Sequence, residues 1–246
     1  MWAGSDTDEL LSCIDVSVRE AVWVFLRDWT NSATVMTHHV ARSSDVHMPR
    51  MIASIPRVLD GTESNEDLAD ALSPGELLLA PETLPLDLPV WSRHSHDSFF
   101  MSLDPRESNG TLHHSLQYAF VDSGSFFDTW RAIPDVGSIV DPAVIESVDA
   151  PMGQYLVVAS LGGQRVGTVR ITTGSTLAGM SLLAVVPAVR RSGVARTLIE
   201  FGLDLASKDG CRSVHFQVDG HNDTAIRLYD QLGATTIARY RYLQRS

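Results

Sequence analysis

The stretch from Leu182 to Arg196 is where residue types and their order can do chemistry. It reads Leu182-Leu183-Ala184-Val185-Val186-Pro187-Ala188-Val189-Arg190-Arg191-Ser192-Gly193-Val194-Ala195-Arg196, an apolar strand that breaks into a basic, glycine-containing turn and then a helix. Anions bind at such places. The N–H groups that open a helix have no intrahelical acceptor and point outward with the positive end of the helix dipole. Gly193 and Ala195 let a ligand come close to that backbone, and the arginines beside the turn add charge-assisted contacts.

The elements that must hold this turn can be read on both sides of it. Leu116 to Val121 has strand character, Phe126 to Ile133 and Pro142 to Val148 read as short helices, and Tyr155 to Ser160 with Arg165 to Thr172 as a hairpin through Gly162-Gly163. Met180 to Val186 is a buried strand. A helix from Val194 to Ser207 follows, its stripe made of Ala195, Leu198, Ile199, Gly202 and Leu205 and its end marked by Lys208-Asp209-Gly210. Ser213 to Val218 is the next strand, with His215, Gln217 and Asp219 on one face and Val214, Phe216 and Val218 on the other. Asn222-Asp223 then caps a helix that runs to Leu232 and closes at Gly233, and Thr235 to Tyr242 is a final strand. Strands alternating with helices in this way predict an α/β fold with a mixed, mostly antiparallel central sheet flanked by helices.

The first 111 residues differ in character. They carry 18 acidic and 7 basic side chains, against 12 of each in the remainder, so the whole net charge of −11 sits there. An amphipathic helix is predicted over Asp8 to Trp29 from Leu11, Ile14, Val18, Val22 and Phe25, and a shorter one over Asn65 to Leu72. Strands are predicted over Thr34 to Val40, Glu76 to Ala80 and Ser98 to Leu103.

The turn resembles the acyl-CoA signature of the GCN5-related N-acetyltransferase (GNAT) family, Gln/Arg-x-x-Gly-x-Gly/Ala, which Arg190, Gly193 and Ala195 satisfy. The Val185-Val186-Pro187 strand exit is similar to the family's, and the run Asn222 to Ala234 resembles its Asn-x-x-Ala-x-x-Leu-Tyr-x-x-x-Gly segment. The resemblance covers residues 112–246, a GNAT-like acetyltransferase domain, and leaves 1–111 as an acidic region that is either a degenerate second domain of that kind or an appendage shaping the acceptor site. It implies acetyl-CoA as co-substrate and direct transfer of the acetyl group to an amine in a ternary complex. It also implies that Leu183 and Val185 offer backbone groups to the pantetheine arm and thioester carbonyl. Arg190, Arg191, Ser192, Gly193, Val194 and Ala195, assisted by Arg196, would cradle the diphosphate. Asn222 would contact the CoA arm, and Tyr229 would stand near the sulfur.

Physical reasons make such parts useful. An ammonium with a pKa of about 10.4 is only about 0.04% neutral at pH 7, so a base must take its proton before attack. The tetrahedral intermediate places negative charge on an oxygen that a fixed Val185 N–H can meet, and the departing thiolate needs a proton that the Tyr229 hydroxyl can give. The base is missing from its usual place. Where related peptide N-terminal acetyltransferases often carry glutamate, five residues before the Asn, this chain has Gln217, which cannot titrate; His215, Asp219 and Glu146 are the substitutes. Asn222 is also an N-cap in its own right, and Tyr229 stands at helical spacing with Ala225, Ile226 and Leu232 as a core aromatic would. Two other readings fit the same motifs, a non-catalytic acyl-CoA-binding module and an enzyme using a different acyl-CoA.

Composition excludes several classes. A chain with one lysine, Lys208, and a pI near 5.1 lacks the clustered basic face that nucleic acid requires, and its acidic half would draw a cationic acceptor if it lined the cleft. The longest near-apolar stretch, Leu177 to Val189, is interrupted by Gly179, Ser181 and Pro187 and is shorter than the roughly 20 residues of a membrane helix. The acidic start and the absence of a basic-then-apolar leader predict a cytoplasmic protein, and Cys13 and Cys211 supply neither a disulfide framework nor a zinc site. His38, His39, His47, His94 and His96 have no carboxylate or cysteine beside them in a ligand pattern, so no metal is expected.

Overall fold

The computed structural model describes residues 35–37, 40–42, 50–52, 77–81, 91–93, 97–107, 115–134, 136, 153–173 and 176–245. The helices predicted over Asp8–Trp29, Asn65–Leu72 and Pro142–Val148 lie outside them. Two compact units divide the chain, one of Met1–Met101, Gln217–Ile226 and Thr236–Ser246, the other of Ser102–Phe216 and Arg227–Thr235.

In the first unit, β1 (Val35–Thr37) and β2 (Val40–Arg42) form an antiparallel hairpin, β2 pairs with β3 (Arg50–Ile52), and β3 runs parallel to β4 (Leu77–Pro81). The strand expected over Thr34 to Val40 is therefore two strands. Thr37 pairs with Val40. The C-terminal strand, whose residues 236–245 belong to this unit, pairs antiparallel with β4 and with β5 (Trp91–Arg93). The strand Ser98–Leu103, β6, has the predicted bounds.

The second unit holds the candidate site. Its strands β7 (Leu116–Phe120), β8 (Gly153–Leu161), β9 (Gln164–Thr173) and β10 (Leu177–Val185) pair antiparallel in sequence order. Strand β11 (Ser213–Asp219) joins β10 in parallel, which makes the sheet mixed and mostly antiparallel, as expected. The glycine pair 162–163 turns the β8–β9 hairpin. Helix α1 (Ser123–Arg131) begins three residues earlier than its apolar pattern suggests. Its start is fixed by a cap. Asp122 accepts from the Ser125 N–H and hydroxyl, both at 2.8 Å, and these bonds hold its carboxyl below the ordinary carboxylate range.

The sheet is covered on both faces. Phe126, Phe127 and Trp130 of α1 pack with Leu156 and Val158, and Leu182 and Ala184 lean on that cluster. Helix α2 (Val194–Lys208) lies on the other face, where Leu198 and Gly202 meet β9 at Gly167 and Ile171. Its buried residues include Val194, Leu198, Ile199, Gly202, Leu203 and Ala206, a broader band than the expected stripe, with Ala195 and Leu205 only half-buried. A helix seated on a sheet buries more of its circumference than one touching a single neighbour. Helix α3 (Asp223–Gln231) follows β11 and is closed by Gly233 at φ +85°, and β12 (Thr235–Arg245) ends the chain.

Close approach at Gly167 sets the spacing of β9, β10 and α2. A Cβ there would lie 2.9 Å from the Ala184 carbonyl oxygen and 2.9 Å from Leu198 Cδ1. Overpacking of this kind costs about 1–3 kcal/mol. Gly167→Ala should therefore lower the thermal unfolding transition by several degrees, followed by circular dichroism, and an unchanged transition would show that β10 yields freely.

Candidate functional site

The site is built on a defect in the ladder between β9 and β10. Ser181 pairs with Arg170 and Ala184 with Thr168, so Leu182 and Leu183 together oppose Val169. This is a β-bulge, with Leu182 at φ +52°. Its consequence is the direction of the peptides that follow. The Val186 N–H donates to the Val166 carbonyl at 2.9 Å, so by strand alternation Val185 points its own N–H and C=O to the opposite edge of β10. On that edge the pairing with β11 covers Leu177, Ala178 and Gly179 and ends at Gly179–His215, so among the described residues Met180 to Val185 have no ladder partner there. Without the extra residue Val185 itself would face Val166, and its N–H would be spent in the ladder.

The turn after β10 carries the other half of the site. Pro187–Val189 form one turn of 3₁₀-helix, Arg191 has φ +67°, and Gly193 stands at the N-cap of α2 with φ +91°. Among the described residues nothing lies within 4 Å of where a Gly193 Cβ would be. The first intrahelical bond is Thr197 N–H to the Gly193 carbonyl, at 3.0 Å, and no side chain caps the helix. The N–H groups of a helix start without a side-chain cap can meet an anion.

The basic side chains are arranged less simply. Arg190 donates from Nε to the Val185 carbonyl at 3.0 Å and from Nη2 to the Pro134 carbonyl at 3.3 Å, so its guanidinium ties the turn to the end of β10. Ser192 donates its hydroxyl to the Val189 carbonyl at 2.7 Å. Arg196 lies 3.5 Å from the buried Glu200, one turn along α2. Arg191, Ser192 and Gly193 are exposed, while Val194 is buried.

The sequence model of the acetyltransferase (GNAT) family matches residues 125–234. Residues 125–234 form a GNAT domain. Solved structures agree on the fold at low sequence identity. A GCN5-related N-acetyltransferase from Kribbella flavida superposes with a TM-score of 0.63 at 14% identity, covering 95% of this chain and 96% of that one. A GNAT-family putative acetyltransferase from Novosphingobium aromaticivorans gives 0.57 at 18%, covering 87% and 91%. A Drosophila protein gives 0.68 at 12%, covering 100% and 97%. Among curated proteins no sequence matches this chain.

Within the GNAT domain, Leu183, Val185 and Arg190 to Arg196 run together along β10, the turn and α2, all in the second unit. Tyr229 belongs to that unit too, and Asn222 to the first. Tyr229 is buried with its ring 4.2 Å from that of Phe216, and burial pushes its phenol up to about 12. Asn222 acts as the expected cap, its side-chain oxygen accepting from the Ala225 N–H at 3.1 Å. Of the candidate bases, Glu146 lies outside the described residues. His215 is 5% exposed and burial pulls it down to about 4, so it is neutral at pH 7 and holds a proton weakly. Asp219 is exposed and accepts from the His221 N–H at 2.7 Å. Thr168, which sequence reasoning did not single out, touches the bulge directly. Among the described residues no group of three His, Cys, Asp or Glu side chains is placed to hold a metal, and no helix is long and apolar enough to cross a membrane.

Proposed function

We propose that this chain is an acetyl-CoA-dependent N-acetyltransferase that passes the acetyl group directly to an amine in a ternary complex, with 112–246 as the catalytic domain and a cytoplasmic setting. The observation that carries the reading is the continuity of the bulge at Leu182–Leu183 with the open helix start at Gly193. One short segment would thereby supply an N–H for the oxyanion that forms in the tetrahedral intermediate and an anion cradle for the diphosphate of acetyl-CoA. Leu183 and Val185 would meet the pantetheine arm and thioester carbonyl. The Arg190 N–H is given to the Pro187 carbonyl at 3.1 Å, so the cradle of Arg190 to Ala195 would act through the backbone N–H groups from Arg191 onward, with Arg191 and Arg196 nearest the solvent side. Asn222 caps α3, and Tyr229 would return a proton to the thiolate.

The net charge of −11 favours a cationic acceptor, because the field of an acidic protein raises the local concentration of cations. The acidic residues 1–111 stand in this reading as a degenerate GNAT-like domain or an appendage to the acceptor site. Thiol release from acetyl-CoA, recorded with a panel of polyamines, aminoglycosides and peptides bearing free N-termini, tests the proposal. Amine-dependent release that weakens as salt rises is the expected result. Binding of acetyl-CoA with no release for any amine would favour an acyl-CoA-binding module instead.

A further inference from the structure

We propose that Thr168 is a positioning residue that aims the Val185 N–H by clamping the bulge, an inference resting on the reading that this N–H meets the thioester carbonyl. Thr168 is fully buried on β9, and its hydroxyl donates to the carbonyl of Leu182 at 3.0 Å. The residue it holds is the one that departs from strand geometry. Leu182 has φ +52°, a conformation that a leucine keeps only where its surroundings hold it. Two restraints do so here: the Thr168 hydroxyl on its carbonyl, and the Phe126–Trp130 cluster against its side chain.

Thr168 is paired in register with Ala184, two residues beyond the carbonyl it binds, so its side chain spans the extra residue. That placement gives it leverage on the chemistry. If the bulge relaxed into a regular ladder, Ser181 would still face Arg170, Leu183 would face Thr168 and Val185 would face Val166. The Val185 N–H would then bond to β9 and be lost to any ligand. The Thr168 hydroxyl, together with the packing on Leu182, thus holds the arrangement that decides which peptides of β10 face the edge beyond Gly179. The contribution is to geometry alone, since Thr168 is fully buried and its hydroxyl is engaged with the Leu182 carbonyl. Arg190 restrains the same strand from its far end, through the Val185 carbonyl.

Thr168→Val keeps the β-branched shape and removes the hydroxyl, whereas Thr168→Ser keeps the hydroxyl and removes the methyl. The readout is the infrared stretch of carbonyl-13C acetyl-CoA bound to the protein, which moves to lower frequency when the thioester oxygen accepts a hydrogen bond, with the dissociation constant measured by calorimetry. The expected result is a red shift in the parent and in Thr168→Ser, most of it lost in Thr168→Val, and affinities within about twofold of one another because the diphosphate cradle is untouched. Thr168→Ala gives the same comparison if the valine variant does not fold. A full red shift in Thr168→Val, or its loss in Thr168→Ser as well, would overturn the clamp. A parent that binds acetyl-CoA without a red shift would remove Val185 as the donor and the clamp with it while leaving the cofactor site standing, and a parent that does not bind acetyl-CoA would remove the proposed function itself.

Discussion

Gly193→Glu should abolish the stabilisation that acetyl-CoA gives the parent protein. Ligand at one hundred times its dissociation constant adds about 2.7 kcal/mol to the stability of the state that binds it, a rise of several degrees in the unfolding transition for a chain of this size. The glutamate acts in two ways. Gly193 has φ +91°, which costs a side chain roughly 1–2 kcal/mol, and the new carboxylate would stand at the helix start proposed to receive the diphosphate. The same carboxylate favours the positive end of the α2 dipole by about 0.3–1 kcal/mol, so the ligand-free variant should lose only part of the strain cost. Gly193→Ala separates the effects, since no described residue lies within 4 Å of the added Cβ and alanine adds backbone strain without charge. The alanine variant should keep a reduced shift on ligand addition. A glutamate variant that is stabilised by acetyl-CoA as fully as the parent would show that the opening of α2 is not the diphosphate cradle.

What made this turn legible is that its determinants are local. An apolar run, a proline, a glycine and a helix period all lie within fifteen residues, and each fixes its own piece of backbone. The same holds for α3, whose start and stop are written as Asn222 and Gly233, and for the β8–β9 hairpin at Gly162-Gly163. The bulge was not legible. It arises from register between two strands, and the residues that permit and hold it, Gly167 and Thr168, precede it by about fifteen positions and look like ordinary members of an alternating strand. Arg190 was recognised by type as an anion contact, yet its guanidinium bonds the main chain of Val185 and Pro134, because a planar fork beside a strand end finds carbonyls as readily as phosphates. Alternation along β11 put His215, Gln217 and Asp219 on one face, whereas burial falls from His215 through Gln217 to Asp219. Parity in a strand states which way a side chain leaves the sheet, and only the neighbouring elements decide how deep it lies.

Tyr229→Phe should lower kcat by about 10²–10³-fold while leaving acetyl-CoA affinity unchanged, the scale expected when a positioned proton donor is removed. The phenol is suited to donate and unsuited to act as a base. Burial pushes it up to about 12, so it keeps its proton throughout the neutral range. The sign of the pH effect follows from that displacement. The folded value lies above the ordinary value of 10.0, so Tyr229 contributes stability that is complete below pH 10 and is lost as the pH rises toward 12. Phenylalanine removes this alkaline loss, and the variant should therefore lose stability less steeply than the parent between pH 10 and 12. The ring contact with Phe216 survives the substitution, so the fold at neutral pH should be little changed. In the rate profile the variant should show a lower plateau with its limbs unmoved, since a donor protonated throughout the measured range creates no limb of its own. Steady-state kinetics with an amine that supports thiol release decides the matter. A kcat within threefold of the parent would make Tyr229 a core aromatic, whereas a lower kcat with unchanged KM for acetyl-CoA and amine assigns the hydroxyl to the collapse of the intermediate, where the thiolate leaves.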